Sequence, residues 1–155
     1  MIDEQYKRTL QNILKLPVNS PSVLVYFVSG SLPGSAILHL KQLTLFGMIS
    51  PLNIHAHHVL LTPTSSPQSW FLQIREILLQ YQLPHPLVLL ANPPTKESFK
   101  KLVKAKVTDY WESKLRSEAS FLPSLHFLRP QYMSLFSPHQ LLTTAGSKPY
   151  EVAKA

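Results

Sequence analysis

The amino-acid sequence predicts an all-α protein, a single orthogonal bundle of about six helices with an irregular C-terminal third. The chain has 155 residues, the size of one ordinary domain. Its 14 prolines cut it into pieces of about 11 residues, close to the usual length of a globular helix. Leucine, a good helix former, is abundant in these pieces. We expect a helical accessory domain over residues 1–137 and an irregular basic tail over 138–155.

Two helices are predicted at the start of the chain. Residues 3–16 repeat apolar side chains every three or four positions, which predicts an amphipathic helix that ends before Pro17. The side chains on its inner face are Tyr6, Leu10, Ile13 and Leu14. The next piece, VLVYFV (23–28), is β-branched and aromatic, so helix and buried strand compete there. Because Ser20-Pro21 in front of it is a helix-start signal, we predict a helix.

Three further helices are predicted up to Pro84. Pro33 opens the first, and apolar side chains cover most of its circumference, which predicts a helix buried on most sides. A short helix is expected from Asn53 to Leu61. The clearest amphipathic helix starts at Ser66-Pro67 and stops at Pro84. Its core stripe consists of Trp70, Phe71, Ile74, Ile77, Leu78 and Tyr81.

A short helix and a long helix are predicted next. The piece LVLLAN (87–92) lies between prolines and has room for one or two helical turns. Thr95 is then a suitable N-cap for a long helix that runs to about Ala119. Its core stripe consists of Phe99, Leu102, Val103, Val107, Tyr110, Trp111 and Leu115. Because three more prolines follow Pro123, we expect little regular structure beyond Ser137.

Composition argues against several common classes of protein. The chain has four glycines and neither a GxGxxG nor a GxxxxGK[ST] motif, which argues against a glycine-rich phosphate loop. It has no cysteine, and therefore no disulfide, thiolate nucleophile or cysteine zinc site. The sequence has no run of about 18 apolar residues, and MIDEQYKRTL at its start lacks an apolar signal core. We therefore expect an intracellular protein, in the nucleus or the cytoplasm, with no membrane partner.

Neither a metal site nor a catalytic site is predicted. The cluster HAHH (55–58) has no acidic residue or cysteine nearby to complete a zinc site. The other histidines lie in separate segments: His39, His85, His126 and His139. Two-metal catalysis needs several converging carboxylates, and the chain has only two aspartates, Asp3 and Asp109, far apart in sequence. We expect no catalytic residue, no bound metal and no cofactor.

Charge is distributed unevenly along the chain. The net charge is +7 and the isoelectric point is about 9.7, yet between Leu16 and Ile74 only Lys41 carries a formal charge. A self-sufficient domain normally scatters charges over so much surface. Two explanations remain open at this point. The stretch is either a neutral surface of hydroxyl, amide and imidazole groups, or a surface that packs against another protein.

A second stretch is strongly basic. Residues 96–116 contain seven cations and three anions, a net charge of +4. The candidate binding residues are five lysines: Lys96, Lys100, Lys101, Lys104 and Lys106. At about 100° per residue, Lys100, Lys104 and Lys101 are expected to lie together opposite the core stripe. Such a ridge fits the phosphate backbone of nucleic acid, and the alternative is an ordinary solvated lysine face.

Three segments resemble one protein family: HLKQLTLFGMIS (39–50), SWFLQIREILLQYQLPHPLVLLANPPTKESFKKLVKAKVTDYW (69–111) and QLLTTAGSKPYEVAKA (140–155). They are similar to the region downstream of the polymerase domain in endonuclease/reverse-transcriptase proteins of animal non-long-terminal-repeat retrotransposons. The similarity extends over nearly the whole chain and includes no catalytic motif. In that family an aspartate-bearing active-site box lies N-terminal to this region and a Cys/His-rich knuckle commonly follows it. This sequence contains neither.

The resemblance implies a non-catalytic accessory region of a retrotransposon reverse transcriptase. Together with the five lysines, it predicts that the chain helps to hold RNA template or target DNA. The expected partners are the backbone of RNA or DNA, bound weakly, and the polymerase portion of the parent protein. The alternative is a protein-interaction helical domain that uses the uncharged surface of residues 16–74 and has no nucleic-acid role.

Overall fold

A computed structural model describes residues 2–49 and 70–123, which contain six α-helices and no strand. The helices are α1 (Ile2–Leu14), α2 (Ser22–Ser29), α3 (Gly34–Ile49), α4 (Trp70–Gln80), α5 (Pro86–Ala91) and α6 (Lys96–Ser120). The all-α prediction is confirmed, including the helical choice for VLVYFV. The predicted helix over 53–61, the predicted helix start at Ser66-Pro67 and the tail over 138–155 lie outside the described residues.

The described helices divide into two compact units. Residues 2–35 and 111–123 belong to the first unit, and residues 36–49 and 70–110 belong to the second.

Three helices end in the same backbone motif, in which one residue adopts the left-handed conformation. These residues are Lys15 after α1 (φ 56°), Gly30 after α2 (φ 66°) and Gln82 after α4 (φ 53°). The next N–H reaches back to a carbonyl of the last turn: Leu16 to Gln11 (2.9 Å), Ser31 to Tyr26 (3.1 Å) and Leu83 to Leu78 (2.8 Å). A proline follows each motif within three residues. This pattern is typical of Schellman ends, and it explains why proline spacing predicted the helices so well.

Polar side chains connect α1, α2 and the start of α3 in the first unit. The Asp3 carboxylate accepts hydrogen bonds from the backbone N–H (2.6 Å) and the hydroxyl (2.9 Å) of Ser35, so it caps the N-terminus of α3. Tyr6 Oη and Ser31 Oγ share a hydrogen bond of 2.6 Å. The Tyr26 hydroxyl donates to the Asp3 carbonyl, and burial, with the nearby Asp3 charge, raises the pKa of Tyr26 to about 12.

The inner face of α1 differs from the prediction at one position. Ile13 is 69% exposed, whereas Gln11 is buried. The Gln11 side-chain amide donates to the carbonyls of Pro17, Val18 and Ser20 at 3.1–3.4 Å. The chain after α1 folds back and brings these carbonyls to one place, where they need a donor. The Gln11 amide supplies that donor, so α1 turns Gln11 inward. Ile13 is exposed, and the prediction that it faces the core was wrong.

The core of the second unit is formed by stripes on α3, α4 and α6. Its buried side chains include Leu43, Phe46, Phe71, Ile74, Ile77, Leu78, Tyr81, Phe99, Val103 and Val107. The predicted stripe of α4 is confirmed, apart from a half-buried Trp70. On α6, Leu102 is 40% exposed while its neighbour Val103 is 1% exposed. The buried row of α6 repeats strictly every four residues, so including Leu102 in it was wrong.

Helices α3 and α6 approach each other closely where α3 has a glycine. A Cβ atom added to Gly47 would lie 2.8 Å from Phe99 Cε1 and closer still to Cδ1. The buried Phe99 ring therefore packs directly on the α3 backbone, and Gly47 is required there for space, not for an unusual φ.

The sequence suggested that α3 is buried on most sides. In the structure only one side of this helix is buried. Leu43 and Phe46 are buried on one side, whereas Leu38, Leu45 and Met48 are exposed on the other. Hydrophobicity alone could not distinguish the two sides, because both carry large apolar residues. The described helices cover only one of them.

No single helix within residues 2–49 and 70–123 is long and apolar enough to cross a membrane. The helices Ser22–Ser29 and Gly34–Ile49 reach the required length and hydropathy only when taken together, and they are bent by 58° at the short break between them.

Candidate nucleic-acid interface

The basic stretch lies on α6, and a hydroxyl cap fixes where this helix begins. Thr95 Oγ1 accepts a hydrogen bond from the Ser98 N–H (3.3 Å), and the two hydroxyl groups are 2.8 Å apart. The Thr95 carbonyl accepts from both the Ser98 hydroxyl and the Phe99 N–H. The predicted N-cap is confirmed, with serine in the position that glutamate or glutamine occupies in a capping box. Lys96 is therefore the first residue of the helix.

All five candidate lysines are exposed: Lys96, Lys100, Lys101, Lys104 and Lys106. Three of them, Lys96, Lys100 and Lys104, follow one another at intervals of four residues and fall within about 80° of the helix circumference. We call these three residues the lysine row. Lys101 lies about 60° beyond Lys104, on the side opposite the buried stripe. The structure thus brings four of the five lysines onto one outward surface of α6.

Lys106 lies on a different side of α6. It lies about 120° around the helix from Lys100, and it lines a different feature, a shallow pocket of about 280 Å³ shared with Asp109 and Tyr110. Asp109 is the carboxylate on this side of α6, as Glu97 is the carboxylate beside Lys100 and Lys101. At 100° per residue Lys106 is about 80° from Lys96 and about 140° from Lys101, and its grouping with the other four lysines stays a prediction.

The lysine row is unfavourable for the helix that carries it. Like charges four residues apart destabilise a helix by about 0.2–0.5 kcal/mol per pair, and the row contains two such pairs. Lys96 also occupies the first turn, where the helix dipole favours anions. Only Glu97 supplies a negative charge in the first turn. An external anion bound along the row would relieve both effects.

The aromatic residues of α6 are not available for stacking on bases. Trp111 is buried, and Lys114 Nζ lies 4.7 Å from the centre of its ring. Tyr110 is half-buried and packs edge-on against Tyr81, with ring centres 5.2 Å apart. Recognition of nucleic acid by α6 would therefore rely on phosphate contacts, not on base stacking.

Sequence reasoning missed a polar contact inside the second unit. His39 Nδ1 and Tyr81 Oη form a hydrogen bond of 2.7 Å, and Tyr81 is 2% exposed. A buried tyrosine hydroxyl needs a partner, and His39 supplies it from a position 42 residues earlier in the sequence. No pattern of local spacing reveals such a pair. His85 also has a structural role, because its Nδ1 accepts the Leu87 N–H at the start of α5.

The carboxylates of the described residues do not gather into a metal site. Within residues 2–49 and 70–123, no group of three or more histidine, aspartate and glutamate side chains is arranged to hold a metal ion. Asp3 caps α3, and Asp109 lines the pocket beside Lys106. The HAHH cluster (55–58), His126 and His139 lie outside the described residues.

The sequence matches no protein-family model, and neither a curated protein nor a solved structure matches the chain. Inferences about function therefore depend on the side chains of this protein and on the resemblance stated above.

Proposed function

We propose that the protein is a non-catalytic accessory region of a retrotransposon reverse transcriptase that holds RNA template or target DNA by its phosphate backbone. The observation that carries this proposal is the exposed lysine row with Lys101 at the positive end of α6. Cations crowd there against both their mutual repulsion and the helix dipole. Conflicts of this kind between local stability and sequence are expected at functional sites.

The dimensions of the row fit a nucleic-acid backbone. Lys96 and Lys104 are eight residues apart, which is about 12 Å along a helix at 1.5 Å per residue. Duplex DNA presents one charge per about 1.7 Å of axis, so the row spans about seven phosphates. A few cations over this length give binding that is weak and indifferent to sequence.

The resemblance supplies the rest of the proposal. It suggests that the polymerase portion of a parent protein is the second partner. The expected location, inside the cell in the nucleus or the cytoplasm, is part of the same proposal. In such a protein the catalytic carboxylates would belong to the polymerase, and this region would contribute affinity for the template or target.

Salt dependence of nucleic-acid binding tests the proposal. Lys100, Lys101 and Lys104 can neutralise about three phosphates, so log K should fall with log salt at a slope of about −3 on duplex DNA. Replacing all three lysines by glutamate should abolish binding at 50 mM salt while leaving the fold intact, because all three side chains are exposed. Fluorescence anisotropy with labelled duplex DNA and single-stranded RNA measures the binding.

A matched control reverses the same number of charges elsewhere. Lys15, Lys41 and Arg75 are also exposed, and their triple replacement by glutamate gives the same net charge as the first variant. The control should retain most of the affinity and of the salt slope. If both variants lose affinity equally, only the overall charge matters and the proposal for α6 is wrong.

A second candidate function is a protein-interaction domain that uses the uncharged surface of residues 16–74. One observation favours it, namely the exposed apolar side of α3 with Leu38, Leu45 and Met48. This candidate has no nucleic-acid role and uses a helix other than α6.

A further inference from the structure

The outward side of α3 carries a regular seam. Leu38, Lys41, Leu45 and Met48 are separated by three, four and three residues, and all four are exposed. At about 100° per residue they fall within about 80° of the helix circumference, opposite the buried side chains of Leu43 and Phe46. This spacing is that of the a and d positions of a heptad, the pattern by which one helix packs against another. We call these four residues the α3 seam.

A shallow groove follows the seam. It has a volume of about 290 Å³ and is lined by Leu40, Lys41, Thr44, Leu45 and Met48. The one hydroxyl in the groove donates to a backbone carbonyl of its own helix, from Thr44 to Leu40 at 2.7 Å. The lining therefore offers apolar surface and one charged group, the Lys41 ammonium.

Lys41 determines which kind of partner fits. It is the only formal charge between Leu16 and Ile74, and it lies between Leu38 and Leu45 in the seam. A helix laid on the groove would bury the stem of Lys41 and leave its ammonium facing the partner. The complementary group is a carboxylate, and a partner without one would desolvate the ammonium without compensation.

The same charge disfavours a second copy of this chain as the partner. In a symmetric pair each surface patch meets itself. In a parallel pair the two Lys41 side chains would face each other, and in an antiparallel pair centred on the seam they would lie about one helical turn apart. No acidic residue lies in the seam to separate them.

We propose that the α3 seam docks an amphipathic helix of another protein, one with apolar residues at the matching three-four spacing and a carboxylate opposite Lys41. This inference rests on the protein-interaction candidate above and specifies its surface and its partner. It does not depend on nucleic-acid binding, because no residue of the lysine row takes part.

Synthetic helical peptides test the charge preference. Two peptides of 18 residues carry the same leucine seam and differ only at the central position, which is glutamate in one and lysine in the other. The glutamate peptide should bind the protein at least about tenfold more tightly than the lysine peptide. In the Lys41→Glu protein the preference should reverse, since a like-charge pair then becomes an opposite-charge pair. Titration calorimetry at 150 mM salt measures all four pairs.

Matched variants locate the binding surface. Leu45→Glu should abolish binding of the glutamate peptide, whereas Leu79→Glu should not, although Leu79 is a still more exposed leucine on α4. The Lys100, Lys101 and Lys104 triple glutamate variant should bind the peptide normally, which separates failure of this inference from failure of the nucleic-acid proposal. Because both leucines are exposed, thermal melts should be unchanged.

Three results would overturn the inference. The first is no peptide binding up to 1 mM by any protein variant. The second is binding with no difference between the glutamate and lysine peptides, which would show that Lys41 does not select the partner. The third is concentration-dependent dimerisation in sedimentation that Leu45→Glu abolishes, which would make a second copy the occupant.

Discussion

Helices α3 and α6 each bury an apolar stripe, but the chemistry of their outward sides differs. In the second unit each buries one stripe, which includes Leu43 and Phe46 on α3 and Phe99 and Val103 on α6. On the outward sides, α3 exposes leucine and methionine around a single cation, while α6 exposes lysines at nearly every turn of its first half.

This difference shows which part of each helix specifies function. Both buried stripes are apolar, and their role is to pack the helices together. The outward sides are specialised, because neither an apolar seam nor a row of like charges stabilises the isolated protein. Under the two proposals above, the outward side of α3 binds an amphipathic helix and that of α6 binds a polyanion.

The largest expected effect contrasts the two sides of α6. Val103→Asp should destabilise the protein by about 3–5 kcal/mol, because it buries a charge with no partner. Leu102→Asp, one residue earlier, should cost only about 1–2 kcal/mol, because its side chain is 40% exposed and the loss is limited to partial burial and helix propensity. Urea unfolding followed by circular dichroism measures both. Equal costs would mean that α6 has no solvent side at Leu102.

The next effect concerns the point where α3 and α6 meet. Gly47→Ala should cost about 1–3 kcal/mol despite the better helix propensity of alanine, because the new methyl group overlaps the Phe99 ring. The cost should shrink in a Phe99→Leu background, as a double-mutant cycle in urea would show. A stabilised Gly47→Ala protein would contradict the close approach of the two helices.

A smaller effect connects stability to the lysine row. Thr95→Ala removes the N-cap of α6 and should cost about 1 kcal/mol. Because the first turn then frays, Lys96 and Lys100 lose their fixed positions, and affinity for DNA should fall several-fold. Thr95→Ser keeps the cap and should preserve both properties. Fluorescence anisotropy measures the DNA affinity of the wild type, Thr95→Ala and Thr95→Ser, and thermal melts measure their stability.

The smallest effect leaves both outward surfaces unchanged. Lys15 and Gln82 hold left-handed conformations that glycine adopts without strain. Lys15→Gly and Gln82→Gly should each stabilise the protein by about 0.5–1 kcal/mol, with no change in DNA or peptide affinity. A loss of stability on either substitution would show that the side chain contributes more than its backbone strain.

Helix positions were predictable from the sequence because prolines and caps act locally. Thr95 starts α6 as its hydroxyl predicted, and the stripe of α4 follows from its spacing alone. The inner face of α1 was less predictable, because Gln11 is buried to satisfy carbonyls of a loop that follows the helix. The apolar residues on both sides of α3 gave no indication of which side the other helices would cover.

The candidate surface was predictable in part. Lysine density on α6 identified the candidate helix, and rotation per residue places Lys106 about 80° from Lys96, the nearest member of the lysine row. The α3 seam required the structure, since only burial distinguishes Leu45 from Leu43. The His39–Tyr81 hydrogen bond also required it, because the two residues are distant in sequence.

The claim that α3 and α6 carry independent binding surfaces has a direct test. Labelled duplex DNA and the glutamate peptide are titrated, at 50 mM salt, onto the wild type, the Leu45→Glu protein and the Lys100, Lys101 and Lys104 triple glutamate protein. We predict that Leu45→Glu loses only the peptide and that the triple variant loses only the DNA. A variant that binds neither the DNA nor the peptide would contradict separate roles for the two surfaces. So would the result that each variant still binds the DNA and the peptide.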